Sequence, residues 1–267
     1  MLSNIFTVGL AAILLGLQGS EAAHATCYNL TIPVTISASN TNLSLPLPVN
    51  QSQVIDFATA SASIANNITN YVEGNYTLDA TYNISARLCL PTYAANSNSS
   101  TNRNDTVQFL IHGIGFDKSY WDLPCINGVN YSYTEAALAG GYATFGIDRL
   151  GVGLSNPSLR DDATIDPKNE IQTPAHIEVV HQLTNIVIHV GHSYGSILSN
   201  GLVAKHPNAS DGLILQGYSA NGSWVPQTIA GLLPTIAAQD QSFRFINAST
   251  GVALNSGYLL SNNMFPV

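Results

Sequence analysis

Charge is what this sequence has least of: Asp, Glu, Lys and Arg make up 9% of its 267 residues, against about 25% in an average soluble chain. Only eight Lys and Arg occur, scattered from Arg87 to Arg244, and the formal net charge is −8. A chain with no basic cluster is not built to grip nucleic acid or an anionic membrane surface. Cysteine is also scarce. Three (Cys27, Cys89 and Cys125) are too few for a disulfide-dense scaffold, and the odd number leaves at least one outside an intrachain pair. Cys27 and Cys89 both lie in strand-like segments, which points to that pair. No Cys/His cluster shows metal-ligand spacing along the chain, so neither a metal nor a cofactor is expected. Internal repeats are missing too, and no apolar run is long enough to span a bilayer.

Asn-x-Ser/Thr sequons stand where the charges do not. Twelve occur, at Asn29, Asn42, Asn50, Asn67, Asn75, Asn83, Asn98, Asn104, Asn130, Asn208, Asn221 and Asn247. A chain rich in Asn, Ser and Thr makes some of these by chance. Their density nevertheless fits a surface solubilised by N-glycans rather than by ions. Ile5–Leu17 is an apolar run of 13 residues, too short to span a bilayer and suited to the core of a signal peptide. Small residues offer cleavage after Ala22, Ala23 or Ala25. The expected organisation is a signal peptide over 1–25, a core over 26–220, and the start of a cap or an irregular segment over 221–267. Secretion is the expected location, with a membrane anchor as the runner-up.

Tyr28–Ser37 and Thr77–Leu90 read as extended, with a helical or irregular polar stretch at Val54–Ile68 between them. Ala94–Asp105 reads as a polar surface loop. From Thr106 short continuous apolar runs appear at Val107–Ile111, Ala143–Ile147, Ile186–Val190 and Leu213–Leu215. Runs without polar alternation suit strands buried on both faces, as in a parallel sheet covered by helices. Thr173 with Pro174 opens one such helix, and Tyr194–Lys205 forms another, ending before Pro207. This alternation predicts an α/β fold. Ile229, Leu232, Leu233 and Ile236 then lie on a helical stripe within Trp224–Gln239, interrupted by Pro234.

Gly191-His192-Ser193-Tyr194-Gly195 sits between the run ending at Val190 and the helix beginning at Tyr194. Nucleophilic serine catalysis needs a hydroxyl on a sharp strand-to-helix turn, with small residues two positions either side so that backbones can approach. A chance G-x-S-x-G in a chain of this composition has a probability of roughly 0.1–0.2, so the pentapeptide alone is weak. Its placement raises the odds, as does His112-Gly113-Ile114-Gly115 directly after Val107–Ile111. The backbone there can aim N–H groups at an oxyanion beside the N–H of Tyr194. The His112 side chain reads as a structural loop histidine. Asp148-Arg149-Leu150-Gly151-Val152-Gly153-Leu154-Ser155 follows Ala143–Ile147 in the same way.

With these three motifs in order, the chain resembles the α/β-hydrolase superfamily of the AB hydrolase-1 type, and is similar to its secreted fungal members. The resemblance covers roughly Thr106–Ser219. It implies a mostly parallel sheet with helices on both faces and Ser193 as nucleophile. The backbones of Ile114 and Tyr194 would form the oxyanion hole, with His112, Gly113, Gly191 and Gly195 supporting the site. Asp148 would brace the loops, since a role as catalytic acid fits the family's chain order poorly. The implied substrate is a small-molecule ester or related acyl compound. Hydroxynitrile-lyase or cofactor-free haloperoxidase-like chemistry reuses the same serine. A serine at this position argues against epoxide hydrolases and haloalkane dehalogenases, which share the fold but use Asp there.

The sequence departs from the family after Ser193. The triad acid and then the histidine should follow, yet the later carboxylates are only Asp211 and Asp240, and the later histidine is His206 alone. At 1.5 Å per residue along the helix, His206 lies about 20 Å from Ser193. It reads as a surface histidine at a helix end. The expectation is therefore a chain that lacks the last strands and the loops bearing acid and base, as a fragment or defective gene model would. Such a chain would be inactive or weakly active. The alternative is a secreted glycoprotein that keeps the fold for binding.

Overall fold

A computed structural model describes residues 20–22, 25–44, 46, 48–62, 68–92, 103–155, 166–184, 187–223, 225–231, 234–236 and 259–261. The apolar core of the expected signal peptide and nearly all of the expected loop at Ala94–Asp105 lie outside them. The elements in chain order are β1 (Ser20–Ala22), β2 (Ala25–Leu43), α1 (Gln51–Ala62), β3 (Val72–Pro91), β4 (Arg103–Ile111), α2 (Tyr133–Ala139) and β5 (Tyr142–Ile147). There follow α3 (Thr173–Leu183), β6 (Val187–His192), α4 (Tyr194–Lys205), β7 (Gly212–Gln216), α5 (Val225–Gly231), β8 (Pro234–Ile236) and β9 (Leu259–Ser261). Contacts group the chain into two compact units, one of Met1–Thr35, Thr81–Ser155 and Ile177–Tyr218, the other of Ile36–Ala80, Asn156–His176 and Ser219–Val267. β2 and β3 contribute residues to both.

A seven-stranded mixed sheet, most of it in the first unit, has the order β1-β2-β3-β5-β4-β6-β7. β1 is antiparallel to β2, and β3 to β5, whereas β5, β4, β6 and β7 run parallel. The expected α/β fold is therefore present, with the parallel half formed by the four apolar runs. Hydrophobicity explains the difference between the halves. Phe109, Leu110 and Ile111 of β4 are all fully buried, as a strand covered on both faces requires; each such side chain contributes roughly 2 kcal/mol by leaving water. β2 instead alternates, with Val34, Ile36 and Ala38 buried and Pro33, Thr35 and Ser37 exposed. A Cys27–Cys89 disulfide ties β2 to β3, the pairing anticipated from their strand positions, and Cys125 is free and exposed.

Helix α2 escaped the reading of the sequence, although Ser132-Tyr133-Thr134-Glu135 carried a capping signal. Ser132 Oγ accepts from the Glu135 N–H at 3.0 Å and starts the helix. The order of the parallel strands places the site. The chain leaves β4 for β5 on one side and returns to β6 on the other, which makes the crevice beyond the carboxyl ends of β4 and β6 a topological switch point. Ile111 and Gly191 are register partners there, so the two strands end side by side.

In the second unit, Asn40 is fully buried and its Nδ2 donates to the carbonyls of Asn169 at 2.9 Å and Glu170 at 3.1 Å. The Tyr76 hydroxyl reaches the same Asn169 carbonyl at 2.8 Å. Gln51 Nε2, on α1, donates to the Pro234 carbonyl at 3.0 Å. The helical stripe expected over Trp224–Gln239 is only partly a helix. It stops at Gly231, and Pro234–Ile236 is a strand paired antiparallel with Leu259–Ser261. Pro234 cannot donate into a continuing helix, and at the start of a strand it need not.

Candidate active site

Ser193 occupies the turn between β6 and α4 with φ 52° and ψ −115°. Such a backbone is costly for a residue with a side chain, on the order of 1–3 kcal/mol, and persists only where its surroundings enforce it. Here they do so through main chain. The Ser193 N–H donates to the Gln216 carbonyl at 2.8 Å, and Ser196 Oγ donates to the same carbonyl at 2.9 Å. The Ser193 carbonyl accepts the Ser196 and Ile197 N–H groups at 2.9 and 3.2 Å, starting α4. Gly191 and Gly195 admit no side chain. A Cβ on Gly195 would stand 2.0 Å from the Ile111 carbonyl oxygen, and one on Gly191 would stand 2.5 Å from the backbone of Gly195.

The loop after β4 lies directly against this turn, because a Cβ on Gly113 would be 3.1 Å from Ser193 Cβ. Two donors hold the Gly113 carbonyl: the His112 ring through Nδ1 at 2.9 Å and the Arg149 guanidinium at 3.1 Å. Because His112 Nε2 accepts the Arg149 N–H at 3.1 Å, the ring proton sits on Nδ1. Burial, reinforced by the nearby Arg149 charge, lowers the His112 pKa to about 3, so the ring is neutral at ordinary pH. Fixing the Gly113 carbonyl fixes the Gly113–Ile114 peptide plane, and with it the direction of the Ile114 N–H on its opposite edge.

Arg149 is the residue here that sequence reasoning passed over. It is 5% exposed, its guanidinium lies 4.8 Å above the centre of the Tyr194 ring, and no carboxylate pairs with it among the described residues. Burial lowers its pKa to about 10, which still leaves it charged. The neighbouring Asp148 is a brace. Its carboxylate accepts the Lys118 ammonium at 2.6 Å and the Lys118 and Leu154 N–H groups at 2.9 Å each. Ser155 Oγ donates to the Asp148 carbonyl and accepts the Ser85 N–H. On the other side of the turn the His192 ring stacks on Tyr120 at 4.5 Å, with Phe116 against both.

A sequence profile of the family described as "Alpha/beta hydrolase family" matches residues 109–262, more than half of the chain. This chain belongs to the α/β-hydrolase family. Comparison with curated proteins gave no match. Among solved structures, similarity is found to the epoxide hydrolase of Vigna radiata, at 16% identity and TM-score 0.36, over 50% of this chain and 36% of that one. An α/β-hydrolase enzyme from a Medee basin deep-sea metagenome library gives 16% identity and TM-score 0.36, over 53% of this chain and 43% of the other. Potato (Solanum tuberosum) epoxide hydrolase I gives 18% and 0.32, over 50% and 36%. This member of the family thus spans less than half the length of each of these chains.

The structure brings together Ser193, Tyr194, His112, Gly113, Ile114, Gly191 and Gly195, with Asp148 behind them. It does not bring His206 there. His206 Nε2 lies 3.1 Å from Glu178 Oε1, at the other end of α4. Among the described residues no histidine is hydrogen-bonded to Ser193 Oγ. His24, Asp161, Asp162 and Asp240 lie outside the described residues.

Proposed function

We propose that this hydrolase-family chain carries the nucleophile and oxyanion half of a secreted serine hydrolase acting on small esters or related acyl compounds. The observation that carries the reading is the enforced left-handed backbone of Ser193 at the switch point of the sheet. A strained serine between two glycines that tolerate no Cβ fits a nucleophile elbow, a turn that would present the hydroxyl to the crevice. Attack by Ser193 Oγ on an acyl carbon would place negative charge on the acyl oxygen, beside the Tyr194 N–H at the start of α4 and the Ile114 N–H. His112 and Arg149 act through the Gly113 carbonyl to keep the second donor in place before the reaction, which is where such donors gain most of their effect. The buried Arg149 charge adds to the favourable potential. Phe116, Tyr120 and His192 offer an apolar wall to the substrate.

With no described side chain placed to take it, the proton of Ser193 would pass to solvent water, which makes for slow turnover. Neither ring nitrogen of His112 is available, since one donates to Gly113 and the other accepts from Arg149. Secretion is supported by the disulfide, which persists in oxidising compartments. The sequons agree: Asn29, Asn42, Asn50, Asn75, Asn83, Asn130, Asn208 and Asn221 are all exposed, whereas Asn40, outside any sequon, is buried. The test is turnover of short-chain p-nitrophenyl esters by the chain and by Ser193→Ala, together with labelling by a fluorophosphonate. Turnover or labelling lost in Ser193→Ala supports a serine hydrolase. Neither reaction in the native chain, with reversible binding of the esters retained, favours the binding glycoprotein instead.

A further inference from the structure

We propose that Glu178, His181 and His206 form a binding site for a zinc-type divalent transition metal at the C-terminal end of α4, independent of the Ser193 reading. Spacing along the chain could not show this site, because its ligands come from two helices. Glu178 and His181 are three apart on α3 and share a face. His206 closes α4 and turns its Nε2 to 3.1 Å from Glu178 Oε1. One donor atom from each of the three residues lies within 4.8 Å of the others. Two imidazoles and a carboxylate are a common ligand set for zinc, whose ligand distances of about 2.0–2.2 Å put neighbouring donors roughly 3–3.5 Å apart. Side-chain adjustment of about an ångström closes the set.

Two features point to an ion rather than to an interhelical salt bridge alone. His181 Nδ1 is buried, lacks any hydrogen-bond partner, and stands 3.7 Å from Glu178 Oε2. At 3.7 Å that contact is too long for a hydrogen bond, whereas a metal would use the nitrogen's lone pair. The second feature is Lys205, whose ammonium sits 2.6 Å from Glu178 Oε1. It marks the place where positive charge is favoured. Because its side chain is 48% exposed, it can swing into water and yield that place to an ion. The His181 and His206 rings stack at 3.6 Å with 5° between their planes. From that arrangement the rings splay by rotation about Cβ–Cγ to direct both lone pairs at one ion. An open pocket of about 550 Å³ beside them, lined also by Thr184 and Asp211, gives the room. Water would fill the remaining coordination position, and the bound ion would clip α4 to α3.

The test is titration of the chelator-stripped full chain with Zn²⁺ by calorimetry and with Co²⁺ by visible absorption. One equivalent should bind at roughly micromolar affinity, with Co²⁺ showing ligand-field bands of low coordination number. His181→Ala and His206→Ala should each weaken binding about tenfold or more. Lys205→Met should tighten it several-fold, a gain that misfolding cannot imitate. Absence of stoichiometric binding, histidine variants that bind as well as the native chain, or unchanged or weaker binding by Lys205→Met would each overturn the proposal.

Discussion

At its N-terminus α4 meets the rest of the first unit backbone to backbone, whereas at its C-terminus it does so through long polar side chains. Around Ser193 the contacts are carbonyls and N–H groups, with glycines that leave no space for even one methyl. Around His206 they are side chains: the buried Glu178, with His181 and Lys205 partly exposed around it. Parts that cannot adjust are what hold a strained residue in place. Parts that can adjust can exchange one cation for another. One helix therefore carries a rigid site and an adaptable one, about 20 Å apart by helical rise.

The largest effect is expected from a methyl group placed at each end. Gly195→Ala puts a carbon 2.0 Å from a backbone oxygen, and should cost more than about 4 kcal/mol or prevent folding altogether. Gly201→Ala, in the same helix, meets only the tip of Ile177 at 2.7 Å. A gain in helix propensity of about 1 kcal/mol offsets that crowding, so its stability should stay close to native. Equal losses in urea denaturation would erase the contrast between a rigid and an adjustable end.

Acid should separate the ends next. The unfolded chain binds a proton at His112 below about pH 6.5, which the folded chain refuses until about pH 3. Stability from this group is therefore complete above pH 6.5 and declines as pH falls towards 3. Between pH 6.5 and 4.5 the loss is on the order of 3 kcal/mol. His189, buried and lowered to about 4, adds to the same decline. Glu178 opposes its own burial through hydrogen bonds from Lys205 and His206, and its pKa lies below the usual value of 4.5. Its contribution is present above that value and disappears only at lower pH. Urea midpoints measured from pH 7 to 3 should fall in that order, and a flat profile above pH 4.5 would mean that His112 is not held neutral.

The smallest effect is the most telling about function. Ser193→Gly should raise stability by about 1 kcal/mol, because glycine accepts a φ of 52° that serine resists. Ser193→Ala should bring no such gain, as alanine keeps the Cβ. Thermal melts of the two variants compare them directly, and equal midpoints would show that the elbow stores no strain.

The parallel half of the sheet was legible because Val107–Ile111 and its three counterparts are predominantly apolar stretches, which in β4 reflects burial of Phe109, Leu110 and Ile111, although in β7 at the sheet edge Ile214 is 45% exposed. The elbow was legible because two glycines bracket a serine between such a run and a helix. Arg149 was not, since a lone arginine in a sequence looks like surface, and only the fold shows it buried beneath Gly113. Glu178, His181 and His206 were hidden for a related reason, being close in space but divided between two helices. Pro234–Ile236 misled because its apolar residues continue a helical stripe, whereas its partner strand lies far along the chain.

The bond between Cys27 and Cys89 spans 62 positions of sequence but joins neighbouring strands. A single protease cut anywhere in that interval would leave two pieces still covalently one molecule. Such a nicked chain would keep its mass under oxidising conditions and separate only in reductant, so at this place the continuity of the protein does not depend on its peptide bonds alone.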